Sequence, residues 1–128
     1  MFRIGDTFVN TKTIEFKDHL WIIISDPSIN NRNIIVVNVT SFNEKKIVDE
    51  NYVLYSRDHL FIKHKSYIEF KGTMLTSTEN LTNSLNNDLL SQNTQASEEL
   101  IVHILEAAKN ADTLNIKYKN ILKSQKLI

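Results

Sequence analysis

A mostly β fold, a small curved barrel followed by a C-terminal helical extension, is predicted by three observations. Short runs of β-branched and aromatic residues separated by polar turns recur as far as Leu75. A stretch rich in Asn, Ser, Thr and Gln comes next, and beyond Ser97 apolar residues return at helical spacing. At 128 residues the chain fits one domain, with 1–78 as the barrel and 97–123 as the terminal helix. A chain of this size buries about two-thirds of the surface its unfolded form exposes. Its 41% hydrophobic content is enough to do so.

The elements follow in order. Asp6–Val9 begins a strand after Gly5. His19–Ser25 (HLWIIIS) is dense in strand-forming residues and ends at Asp26-Pro27, since proline cannot donate to a ladder. Asn30-Asn31-Arg32-Asn33 is turn material, and Ile34–Ser41 (IIVVNVTS) completes a hairpin. Apolar side chains on both faces of these two runs predict central strands covered on both sides. Tyr52–Tyr55 and Tyr67–Leu75 are further strands, with Gly72 marking a bulge at a barrel corner. So many short strands in so little chain suit an SH3-like small β-barrel better than a flat sheet.

From Ser77 to Ser97, Leu81, Leu85 and Leu89 lie four apart, so this stretch holds either a short helix or loop. Ser97 before Glu98-Glu99 reads as an N-cap with acids against the helix dipole. Ile101, Ile104, Ala108, Ala111, Tyr118 and Leu122 continue at three- and four-residue spacing, Asn115 filling a heptad position. One helix from about Ser97 to Lys123 is expected, with Asn110 as its candidate break.

Composition narrows the function. Cysteine is absent, so disulfides and thiolate chemistry are excluded. No apolar run is long enough to span a bilayer, and the N-terminus lacks the pattern of a signal peptide. The expected location is the cytoplasm, without membrane contact. Fifteen basic residues balance fifteen acidic ones. A general polyanion binder would carry a basic excess, so any nucleic-acid contact has to come from a local cluster.

His59 and His64 are five apart, with His19 and His103 remote, and no metal-ligand spacing appears. Two glycines cannot build a phosphate loop. No cofactor and no metal are therefore expected. What remains is a polar set at the strand ends: His19, Thr40-Ser41, Arg57-Asp58-His59 and the segment from Phe61 to Tyr67. Hydroxyls, imidazoles and cations on one rim are the groups that metal-free RNA cleavage requires. That reaction needs a base for the ribose 2′-hydroxyl, an acid for the leaving 5′-oxygen and donors for the phosphoryl oxygens. His19 and His59 are the candidate acid–base pair, because imidazole titrates near neutrality. Thr40 and Ser41 are candidate donors, and Arg57, Lys63 or Lys65 is placed to hold phosphate.

Each residue also has a structural reading. Thr40-Ser41 satisfies backbone groups at a strand end, His59 packs half-buried before Leu60-Phe61, and the Lys63-His64-Lys65 run is a solvated face. His103 belongs to the helix surface and Trp21 to the core.

The order of the pieces carries a resemblance. Ile4-Gly5-Asp6, the apolar strand opening with His19, Ile34–Val39 followed by Thr40-Ser41, and Asp58-His59-x-Phe61-Ile62-x-His64-x-Ser66-Tyr67 together resemble the PemK/MazF-like superfamily. The resemblance covers about residues 3–80. It implies an SH3-like barrel and a toxin of a bacterial toxin–antitoxin pair that cleaves RNA without a metal. It also implies a cognate antitoxin protein as partner and a possible homodimer. Thr40 and Ser41 match the hydroxyl residues that end the central strand in that family and take part in catalysis. The family places a catalytic arginine before the second strand, and this chain has His19 there. Arg57, Lys63, His64 and Ser66 are the expected substrate-binding residues. The helical tail is longer than the family pattern. Two other functions remain open from the sequence: a non-catalytic SH3-like protein-binding module, and a gyrase-poisoning toxin of the same barrel fold.

Overall fold

The structure, a computed structural model, describes residues 1–10 and 19–128. It is a mixed α/β arrangement built on one antiparallel sheet. The strands are β1 (Thr7–Asn10), β2 (Leu20–Ile23), β3 (Ile34–Ser41), β4 (Val53–Leu54), β5 (Ser66–Thr76) and β6 (Leu90–Asn93). The helices are α1 (Thr78–Asn86), α2 (Glu98–Asn110) and α3 (Ile116–Ser124), and a single 3-10 turn covers Glu50–Tyr52. The sheet runs β4-β5-β3-β2-β1-β6, and no ladder among the described residues joins β4 back to β6. The closed barrel expected within 1–78 is thus replaced by an open sheet, whose last strand comes from beyond residue 78.

The hairpin of β2 and β3 forms as the sequence indicates, with Leu20 opposite Val39 and Ile22 opposite Val37. Side chains alternate between the faces of a strand. Leu20, Ile22, Val37, Val39, Ile68 and Phe70 point to one face, where Leu100, Ile104, Ala108 and Leu122 of α2 and α3 cover them. Phe8, Ile23, Ile34 and Val36 point to the other, covered by Leu81 of α1 and flanked by Phe2, Trp21 and Leu90. Two apolar faces on β2 and β3 therefore do mean two covering layers. The second layer is shorter than the sheet: α1 is a nine-residue helix, and beyond Val36 the face it leaves open turns polar.

The single helix expected over 97–123 is two helices. Ser97 caps α2 by accepting from the N–H of Leu100 at 3.1 Å. The chain turns extended at Ala111, and Asn115 then accepts from the N–H of Lys117 at 2.8 Å, capping α3. Asn115 is an N-cap and not a heptad position, because its amide oxygen competes with the helix for backbone donors. The Leu81–Leu89 spacing is half right. Leu81 and Leu85 lie in α1, but Asp88 adopts a positive φ of 56° and Leu89 is left 61% exposed. The next residue, Leu90, starts β6, which pairs with β1 and continues in polar residues that carry no strand pattern.

At Gly5, φ is 92° and a Cβ would sit 3.3 Å from the carbonyl oxygen of Ala96. Glycine there lets the chain bond Ile23 on one side and Ala96 on the other. At the other special glycine position, the register of β3 on β5 shifts between Val36 and Asn38, the bulge expected near Gly72.

Candidate functional site

The uncovered end of the second face is a polar patch laid out by strand register. Asn38 of β3 stands between Trp21 of β2 and Glu69 of β5. Two residues on, Thr40 is opposite Tyr67, and His19, one step before Leu20, comes alongside Thr40. The chain leaving β3 folds over this patch. His19, Thr40, Ser41, Phe42, Asn43, Glu44, Lys45, Lys46 and Tyr67 line one recess of about 530 Å3.

Within it, Lys46 Nζ donates to the hydroxyl of Tyr67 at 3.0 Å. That bond, with the Glu69 carboxylate adding to it, raises the Lys46 pKa above its ordinary value and holds the exposed ammonium charged. Thr40 Oγ1 donates to Glu69 Oε2 at 3.2 Å, with Asn38 Oδ1 a longer alternative at 3.5 Å. Both partners are acceptors, so Thr40 turns its single hydrogen away from the recess. The backbone N–H of His19 is anchored on Asn10 Oδ1 at 2.7 Å. Its ring Nδ1 is buried with no partner among the described residues. Buried polar atoms of this kind are rare and call for a reason.

The other residues singled out from the sequence fall into two groups. Lys63, His64 and Ser66 join Ser41, Val39, Phe61 and Ile62 around a second recess of about 270 Å3. Ser41 lies between the two recesses. Ser66 spends its own hydroxyl on the carbonyl of His64 at 2.8 Å. Arg57 is apart from both, stacked on the ring of Tyr55 at 4.7 Å. Tyr55 in turn donates to Glu50 at 2.8 Å, the chief cause of its raised pKa.

His59 lines neither recess. It is buried, its Nδ1 accepts from the N–H of Phe61 at 3.0 Å, and its Nε2 meets the carbonyl of Thr94. An imidazole with both nitrogens held by backbone cannot exchange protons with a substrate without breaking those bonds. The pairing of His59 with His19 is therefore not what the geometry offers. His103 lies beside Asp49, Tyr52 and Glu106, lining a separate recess.

Sequence reasoning passed over Glu69 and Lys46 as functional groups, and placed Tyr67 in the motif without giving it a role. For Glu69 and Tyr67 a signal was present: polar residues two positions apart in a strand share one face. Lys46 sits in a polar loop that no periodicity addresses. Among the described residues no group of three or more His, Asp or Glu side chains is placed to hold a metal ion. Among the described residues no helix is long and apolar enough to cross a membrane. The chain has no match among protein-family models or curated proteins.

Proposed function

We propose that this chain is a metal-independent endoribonuclease of the PemK/MazF-like kind, acting as the toxin of a toxin–antitoxin pair. The observation that carries the reading is the convergence of His19, Thr40, Ser41, Lys46 and Tyr67 on one recess. In this reading the sheet is an SH3-like barrel whose strands are splayed open. The register shift between β3 and β5, which bends the eleven-residue β5, supports it.

Lys46, with Lys45 beside it, holds the scissile phosphate. Tyr67 accepts from Lys46, so its own hydrogen is available to a phosphoryl oxygen, as is that of Ser41. His19 protonates the leaving 5′-oxygen. Lys63 and His64 of the second recess take up the next stretch of backbone across Ser41. His59 holds the fold and takes no part in proton transfer. The partners of this reading are an RNA substrate, a cognate antitoxin protein and a possible second copy of the chain.

The test is direct. Purified protein in excess EDTA is incubated with varied single-stranded RNAs, and the new ends are analysed. Cleavage leaving a 2′,3′-cyclic phosphate is expected, together with growth arrest on induced expression in bacteria. Intact RNA across the panel would put the non-catalytic binding module ahead.

A further inference from the structure

A recess that cleaves RNA with the residues named so far has one chemical role unfilled, and the role assigned here rests on that ribonuclease reading. In-line displacement places the attacking 2′-oxygen and the leaving 5′-oxygen on opposite sides of phosphorus, so one imidazole cannot serve both in a single step. His19 is the recess's one imidazole among the described residues. A base for the 2′-hydroxyl has to come from elsewhere.

The recess narrows the choice: Glu44, the one carboxylate lining it among the described residues, is an exposed loop side chain that no described hydrogen bond holds in place. Lys46 is held as an ammonium by Tyr67 and Glu69 and has no lone pair to offer. Tyr67 accepts from Lys46 and faces the recess as a donor. Thr40 differs from both: its hydrogen is committed to Glu69 Oε2 at 3.2 Å, which leaves its oxygen lone pairs to meet an incoming donor. Glu69 is half-buried and not itself among the residues lining the recess, and the recess residue that bonds its carboxylate is Thr40.

We propose that Thr40 and Glu69 form a proton relay that activates the ribose 2′-hydroxyl, with Thr40 in contact with the hydroxyl and Glu69 as the final proton acceptor. As the bond from the 2′-oxygen to phosphorus forms, the 2′-proton passes to Thr40 Oγ1 and the original Thr40 proton passes to Glu69 Oε2. The phosphorus–5′-oxygen bond breaks, and the 5′-oxygen takes its proton from the His19 imidazolium. The products are a 2′,3′-cyclic phosphate, a free 5′-hydroxyl, a neutral His19 and a protonated Glu69. Exchange with water restores both side chains. Because Thr40 presents an acceptor, the relay also reads the one group that separates RNA from DNA.

The experiment compares two substrates, an RNA oligonucleotide and a uridine 3′-(4-nitrophenyl phosphate) ester, whose good leaving group needs no acid. Glu69→Gln should lower kcat on both by about a hundredfold or more, with KM little changed. His19→Ala should be as impaired on RNA but recover most of its activity on the ester. Thr40→Val, which keeps shape and removes the relay oxygen, should match Glu69→Gln, and Thr40→Ser should restore cleavage. Activity of folded Glu69→Gln within about threefold of wild type on RNA, or its rescue by the nitrophenyl leaving group, overturns the relay. A wild-type protein inactive on both substrates overturns instead the ribonuclease reading on which the relay rests.

Discussion

Phe61 donates its backbone N–H to Nδ1 of His59 at 3.0 Å, and that bond settles which ring nitrogen carries the proton. An accepting Nδ1 in a neutral imidazole leaves the hydrogen on Nε2, which donates to the carbonyl of Thr94. The same carbonyl accepts from Thr7 Oγ1 at 2.6 Å. One backbone oxygen thus joins β1, the chain after β6 and the loop between β4 and β5.

His59→Ala should therefore be a stability mutant. Loss of a buried imidazole with two backbone partners should cost about 1–3 kcal/mol, read as a lowered midpoint in urea unfolding. Below its melting transition the variant should cleave RNA within about threefold of wild type. A folded but inactive His59→Ala would return His59 to the chemistry.

His19→Ala should show the opposite pattern. The fold should be retained, because the anchor to Asn10 is made by the backbone N–H of residue 19 and not by its ring. RNA cleavage should fall by about a hundredfold or more. His103→Ala, on the exposed side of α2, should leave the rate unchanged and serves as the control. Equal activity in all three proteins would remove imidazole from the mechanism.

Ile104 is fully buried between α2 and the sheet. Ile104→Asp puts a carboxylate with no partner into that layer, at a cost of about 3–5 kcal/mol or more. Insoluble expression or loss of a cooperative unfolding transition is expected. A soluble variant with an unchanged melting temperature would mean that α2 does not pack on the sheet in solution.

Acid should weaken the turn after β2. Asp26 accepts from the Ser28 hydroxyl at 2.6 Å and from the Ser28 N–H at 2.9 Å. The hydroxyl does most to lower the Asp26 pKa below 3.8, with slight desolvation acting against it. A folded pKa lower than the unfolded one means stability present above the unfolded value and lost as pH falls through the folded one. Ser28→Ala should therefore be less stable than wild type in urea near about pH 7, and the gap should narrow near about pH 2. A gap that is the same at both values would show that the carboxylate is not responsible.

Several features of this protein were determined locally and could be read from the residues alone. β3 spans Ile34–Ser41 as its β-branched run indicates, because a stiff side chain on six of its eight residues favours extended backbone whatever surrounds it. Ser97 starts α2, because an N-cap hydroxyl acts within a single turn. Apolar residues on both faces of β2 and β3 already implied the layers that α2 and α1 supply.

Only the tertiary structure decided the rest, since it depends on partners distant in sequence. Leu90–Asn93 is a strand because the edge of β1 offers backbone bonds to it, and its own side chains carry no such instruction. The sheet takes that strand from beyond residue 78, which no local pattern announces. His19 and His59 look alike in sequence, each ahead of apolar residues. Folding places one beside Thr40 in a recess and locks the other between Phe61 and Thr94. Glu69 reaches Thr40, twenty-nine positions away, through the register of β3 on β5. A side chain's chemistry belongs to the residue, but its hydrogen-bond partners belong to the fold, and those partners determine whether it can move a proton.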